Sequence, residues 1–293
     1  MNIAVTGCYG QLGTEMRKIS AEDTKNHWFF TDIDTLDITD RNATERFFTE
    51  NQIDCCINCA AYTAVDRAED EPKLAEKVNV MASKVLAECC LKREALLIHI
   101  STDYVFDGKG SRPYREDDPT GPSSVYGKTK LQGEKAIQES GCRYCIVRTA
   151  WLYSSTGKNF VKTMLQLADS RDNVSVVCDQ QGTPTWAGDL AQALMRIVEH
   201  YGESQPHEVF HFTNEGVTTW DQFAAAIFEI AGKDCHVTPI TTDQYPTKAT
   251  RPAYSVLDKT KIKETLGIDI PFWKDSLERC IRELESKQKE QNL

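Results

Sequence analysis

None of the apolar runs in this 293-residue sequence reaches the roughly 18 residues that a bilayer-spanning helix needs. No membrane partner is expected. A cationic surplus is also missing, since 34 Lys and Arg against 44 Asp and Glu leave a formal charge of -10. Nucleic acid and anionic surfaces are therefore poor partners. The first residues, Met1 to Gly7, carry no basic stretch ahead of a longer apolar core. No secretory signal is expected, and the cytoplasm is the compartment that follows. Cysteine is not scarce, but no Cys-x-x-Cys pair has a distant matching pair, so no metal site is indicated. Cys55, Cys56 and Cys59 fall in an apolar run and are read as reduced core thiols. Internal repeats and long low-complexity segments are absent as well.

What is present is a regular alternation. Short apolar runs stand at 2–6, 28–32, 53–58, 96–100 and 142–148, separated by helical patterns that include 12–19, 41–51 and 72–92. This order predicts an α/β fold with a doubly wound, parallel, Rossmann-like sheet. Residues 1–150 are read as a dinucleotide-binding domain and 151–293 mainly as a smaller α/β substrate domain, with a return to the main sheet near 187–213. The second half patterns as helices at 159–168, 187–201, 220–231 and from 272, with strands at 174–178, 209–212 and 237–240. The polar residues 286–292 are expected to fray.

The first strand closes in Gly7-Cys8-Tyr9-Gly10-Gln11-Leu12-Gly13, a Gly-x-x-Gly-x-x-Gly turn at a strand-to-helix junction. Glycines there let a pyrophosphate approach the backbone, and the helix N-terminus favours its charge. Gly7, Gly10, Gln11, Leu12 and Gly13 are thus candidate cofactor contacts, although an ordinary Gly-rich turn would look similar. Asp32 ends the second strand at about the separation expected of an acid that bonds an adenosine ribose. Asp34 is a weaker substitute, and a helix cap or loop acid is the plain alternative for either. Asp37 and Ile38 are read as adenine contacts, and Ala60, Ala61 and Tyr62 as the residues the cofactor's backbone would pass. Asp32 repels a 2′-phosphate, which favours NADH without excluding NADPH.

Residues 101–130 hold the chemistry. Tyr126 and Lys130 are four residues apart, hence on one face if the segment is helical. A phenol titrates near ~10, and an adjacent ammonium lowers that value toward a useful range for proton transfer. The hydroxyl of Thr102, near the end of the fourth strand, could hold the oxygen that Tyr126 protonates. Given a hydride donor, that is a carbonyl-reduction site. Tyr-x-x-x-Lys by itself more often marks a half-exposed helix face. The weight comes from convergence: Gly7–Gly13, Asp32, Ala60–Tyr62, Ser101–Asp103 and Arg148–Trp151 all fall at strand carboxyl ends, where ligands of such sheets sit. Asn79 is either a polar support for this centre or a solvent-facing helix residue.

Over essentially its whole length the chain resembles the extended short-chain dehydrogenase/reductases, and within them the dTDP-4-dehydrorhamnose reductase branch. The resemblance rests on Gly7–Gly13, Asn58–Asp66, Ser101–Gly108, Tyr114-Arg115-Glu116, Val125–Gly133, Arg148–Tyr153 and Asp179–Leu190. It implies reduction by NADPH or NADH of a dTDP-linked 4-keto-6-deoxy-sugar. It implies Tyr126 as proton donor, and Lys130 as the residue that lowers its pKa and binds the nicotinamide ribose. Thr102, where many relatives have Ser, would hold the carbonyl oxygen. Asp103 and Trp151 would contact the sugar, and Arg251 would grip the diphosphate unless it is a surface ion pair. A homodimer is admitted but not required. Epimerase or dehydratase chemistry on the same scaffold is disfavoured, because one acid rather than two follows Thr102. A non-catalytic subunit of the methionine adenosyltransferase type remains the alternative; it can keep Tyr-x-x-x-Lys, but Trp151 belongs to the sugar-binding version.

Overall fold

The computed structural model describes residues 1–202 and 204–291. Its first half runs β1 (Asn2–Thr6), α1 (Gln11–Glu22), β2 (His27–Thr31), α2 (Arg41–Glu50), β3 (Cys55–Asn58), α3 (Val65–Asp70), α4 (Pro72–Glu76), α5 (Ala82–Arg93), β4 (Leu96–Thr102), α6 (Val125–Glu139) and β5 (Arg143–Thr149). The second half continues with β6 (Leu152–Tyr153), α7 (Phe160–Ala168), β7 (Asn173–Val177), β8 (Gln181–Gly182), β9 (Thr185–Trp186), α8 (Ala187–Tyr201) and β10 (His207–His211). It closes with β11 (Thr218–Thr219), α9 (Trp220–Ile230), β12 (His236–Ile240), α10 (Thr260–Leu266) and α11 (Trp273–Gln291). Helix α11 is continuous through 286–291, where fraying is expected from composition; residue 292 lies outside the described residues.

Six strands form one sheet in the order β10-β5-β4-β3-β1-β2, every pairing parallel. Buried on both faces, they read as near-continuous apolar runs, as parallel strands do. Ile3, Val5, Ile57 and Ile98 face a layer built by Leu12 and Met16 of α1, Leu190 and Leu194 of α8 and Ile262 of α10. Ala4, Cys56 and Leu97 face Phe48 of α2, Leu86 of α5 and Ile137 of α6. The chain leaves β1 toward β2 on one side and later returns to β3 on the other, so the crevice for a ligand opens between β1 and β3. A separate core gathers Tyr153, Val161, Val176, Phe223, Ile227, Trp273 and Leu277.

Three features depart from the sequence reading. The pattern at 72–92 is one helix by periodicity, but a wider π-type turn, Lys77–Met81, interrupts it. Such turns appear as single bulges inside α-helices and are frequent at functional sites. Here Asn79 is buried. Helices α3 and α10 are too short to show a periodic signature. Helix α10, sequentially inside the second half, packs on the first core through Ile262 and Leu266. All eleven cysteines are free thiols.

Candidate active site

A cavity of about 840 Å³ runs along the carboxyl ends of β1 to β5. One end is a phosphate cradle. Gly7 sits at φ +64°, and a Cβ there would fall 2.7 Å from the Ala60 backbone nitrogen, so β1 and β3 pinch together only because the side chain is absent. Helix α1 then starts at Gln11, after the N-cap residue Gly10, with no side-chain cap and no acid in its first turn. Its leading N–H groups are left for an anion. Gly7, Gly10, Gln11 and Leu12 line the cavity. Gln11 is held from the far side by Asn159, whose Nδ2 donates to Oε1 at 2.9 Å. The donor set and the close backbone approach fit a dinucleotide pyrophosphate.

Asp32, Asp37, Ile38, Ala60 and Ala61 also line the wall. The Asp32 carboxylate accepts the Tyr9 and Ile33 backbone N–H groups, both at 2.9 Å, which fixes it at the rim. Asp37 is held low in pKa by hydrogen bonds from the Thr39 hydroxyl and N–H, which favour its charged form. Gly13, Tyr62 and Arg251 are not on the wall. A Cβ on Gly13 would meet the Gly7 carbonyl oxygen at 2.4 Å, so this glycine serves close helix–strand approach. Tyr62 points its hydroxyl to Glu71 at 2.5 Å, while Asn79 clamps its backbone by accepting its N–H and donating to its carbonyl. Arg251 is committed to Asp66 at 2.5 Å and to the Tyr104 hydroxyl at 3.2 Å.

The inner end of the cavity holds Thr102, Asp103, Tyr126 and Lys130, all buried. Thr102 is the last residue of β4 and donates its hydroxyl to Asp103 Oδ1 at 2.9 Å. Ser124 caps α6 by accepting the Gly127 N–H, so Tyr126 and Lys130 stand on the first turns of a well-started helix. Asn79 donates to the Thr129 hydroxyl between them at 3.1 Å. Lys130 Nζ donates to the Ile100 carbonyl at 2.7 Å and lies 3.3 Å from His99 Nε2.

The electrostatics correct one expectation. Burial drives the Tyr126 phenol upward, against a lowering contribution from the Thr102 hydroxyl, and the charges of Asp103 and Tyr104 push it further up. Lys130 contributes no compensating pull, because burial lowers its own pKa to about 8 despite Glu134 one turn along. Four-residue spacing places the ammonium on the right face but leaves it turned toward β4. Burial likewise lifts Asp103 to about 6, opposed most by the hydrogen bond from the Thr102 hydroxyl. Its Oδ2 is buried with no partner among the described residues.

Trp151 follows β5 at φ +49° and lies over the same end. It stacks on Trp220, which also lines the wall. The sequence reading missed Trp220, because nothing local distinguishes it from the first residue of an ordinary helix. Lys158 and Tyr9 are further wall residues it did not single out. Among the described residues no cluster of His, Cys, Asp and Glu is arranged to hold a metal ion, and no helix is long and apolar enough to cross a membrane.

Residues 1–286 match the family model described as the RmlD substrate binding domain. The chain is 41% identical over 283 residues to a dTDP-4-dehydrorhamnose reductase of Aggregatibacter actinomycetemcomitans, covering 94% of this chain and 96% of the relative. A crystal structure of a dTDP-4-dehydrorhamnose reductase from Clostridium acetobutylicum is 42% identical with a TM-score of 0.92, covering 97% of this chain and 100% of that one. Another, from Bacillus anthracis and in complex with NADP, is 34% identical with a TM-score of 0.90, covering 96% and 99%.

Proposed function

The chain belongs to the RmlD substrate-binding family, and from that premise we propose that it reduces the C4 keto group of dTDP-4-dehydro-L-rhamnose to give dTDP-L-rhamnose, with NADPH or NADH as reductant. The observation that carries the reading is the meeting of Thr102, Tyr126 and Lys130 in the same cavity as a phosphate cradle. In this proposal residues 1–150, with α8 and β10, hold the cofactor, and most of 151–293 shapes the sugar-nucleotide side.

Bound there, reduced nicotinamide supplies a hydride to the carbonyl carbon. The protein's groups then manage the oxygen. As negative charge develops on it, Thr102 turns its hydroxyl from Asp103 to the oxygen and Tyr126 gives up its phenolic proton. Burial holds the pKa of the phenol high, which keeps the proton on Tyr126 until charge develops on the oxygen beside it. Lys130, which lines the same cavity end, holds the nicotinamide ribose. Asp103 offers the unpartnered Oδ2 to a sugar hydroxyl, and the two indoles offer apolar area to the deoxy-sugar. Arg251, held by Asp66 and the Tyr104 hydroxyl, keeps further guanidinium N–H donors that could bond a diphosphate oxygen. The same reading has the protein working in the cytoplasm on a soluble nucleotide sugar, alone or as a homodimer.

Loss of reduced-nicotinamide absorbance, measured with purified protein and the keto-sugar nucleotide, tests this. Oxidation that depends on the keto-sugar is expected with at least one of the two cofactors. Cofactor binding without turnover would instead favour a non-catalytic subunit on this scaffold.

A further inference from the structure

Thr6, Asn58 and His99 stand side by side in one row across β1, β3 and β4, each the register partner of the next. All three are buried, and the row ends at Lys130. Such a chain must obey donor–acceptor rules along its whole length. The backbone N–H of Ala60 can only donate, and it donates to Asn58 Oδ1 at 3.2 Å. The Thr6 hydroxyl donates to the same oxygen at 2.6 Å. The Asn58 amide is therefore fixed with its NH₂ toward His99, at 2.9 Å from Nδ1. An NH₂ group can only donate, so Nδ1 must present its lone pair. A neutral imidazole then carries its proton on Nε2, the nitrogen that faces Lys130 Nζ.

We propose that Asn58 locks His99 as the Nε2–H tautomer, and that this N–H, aimed at the amine, sets the acidity of Lys130 and so the alkaline limit of catalysis. Two donors 3.3 Å apart do not bond, so the contact is favourable only when the amine is neutral and accepts from Nε2–H. Protonating His99 is no escape, because Nδ1–H would then oppose the Asn58 amide. Burial, with Lys130 adding to it, holds the imidazole far below its ordinary pKa.

The other titratable groups around Lys130 are accounted for. Glu134, on the same helix, is committed to Arg148 of β5 and to the Ser101 hydroxyl of β4. Tyr126 and Asp103 lie across the cavity end. Glu69 of α3 accepts the Val125 N–H at the start of α6. None of these supplies Lys130 with a direct hydrogen-bonding anion. His99 and Asn58 act through Lys130 and are positioning residues. The kinetic part of the inference rests on the keto-reductase reading; the tautomer does not.

The test uses ¹⁵N-labelled protein, with His99 assigned by comparison to His99→Gln. In the wild type, Nε2 is expected protonated and Nδ1 bare. Asn58→Asp replaces the NH₂ by a carboxylate oxygen, which reverses the tautomer and turns the Nε2 lone pair toward the ammonium. The alkaline limb of kcat/KM should then rise by ~1 unit or more, because the charged lysine gains an acceptor and the new carboxylate adds its charge; His99→Gln, which removes the imidazole without adding charge, separates the two. The Lys130 Nζ titration followed by NMR should move in parallel without any substrate, so failure of the keto-sugar assay does not remove this readout. A wild-type spectrum with the proton on Nδ1 overturns the proposal. So does an Asn58→Asp protein with the reversed tautomer and an unmoved Lys130 titration. Should that variant not fold, the wild-type spectrum still decides the tautomer, and an unmoved Lys130 titration in His99→Gln overturns the coupling.

Discussion

The indoles of Trp151 and Trp220 are stacked with centroids 3.6 Å apart and planes 12° from parallel. Trp151 is only half-buried and pays a left-handed backbone to reach this position. One side of the ring packs on the separate core around Phe223, and the rest faces the cavity wall. Trp151→Ala is expected to raise KM for the keto-sugar while leaving cofactor affinity intact. The lost stack should cost ~0.5–1.5 kcal/mol, below the ~3–5 kcal/mol of a fully buried aromatic truncation. Thermal unfolding and kinetics on one preparation check both parts. A collapse in melting temperature with normal kinetics in the folded fraction would remove the substrate role.

Tyr126→Phe removes the phenolic proton and nothing of the ring. Turnover should fall by ~10²–10⁴, with cofactor binding and melting temperature nearly unchanged. Steady-state kinetics alongside cofactor titration measure it, and near-normal turnover would reassign the proton donor.

Asp103 makes stability depend on pH in a stated direction. Its folded pKa, about 6, lies above the ordinary 3.8. Between those values the folded protein keeps a proton that the unfolded chain has lost, so stability falls as pH rises through the window. The full effect is at most ~3 kcal/mol. Denaturant unfolding at the two ends of the window should show this loss in the wild type and not in Asp103→Asn. Equal slopes in both proteins would place the titration elsewhere.

Asp32 bears on cofactor choice. Its carboxylate is fixed by the Tyr9 and Ile33 N–H groups at the rim, where it would accept a ribose hydroxyl and repel a 2′-phosphate. Asp32→Ala should therefore shift the ratio of kcat/KM values toward NADPH. An unchanged ratio would show that another wall residue makes the choice.

The order of elements and the strand ends were legible in the chain, because alternation of apolar runs with amphipathic stretches dictates a parallel sheet and such sheets bind at one edge. The glycine turn, Asp32, Thr102, Tyr126 and Lys130 could be named for that reason. Their electrostatic state could not. Spacing puts Lys130 on the face of Tyr126, yet the amine is turned to the Ile100 carbonyl and His99, and burial rather than proximity governs both pKa values. The same holds for Gly13 and Tyr62, whose glycine and alanine neighbours line the cavity while they do not. Asn79 was ambiguous until the fold placed it, within a wider helical turn, against the Tyr62 backbone. The row from Thr6 through Asn58 and His99 to Lys130 joins residues 52, 41 and 31 positions apart. Local pattern determines which segments become strands and helices. Hydrogen-bond partners, tautomers and desolvation are set between segments distant in sequence, and only sheet register and helix docking bring those together.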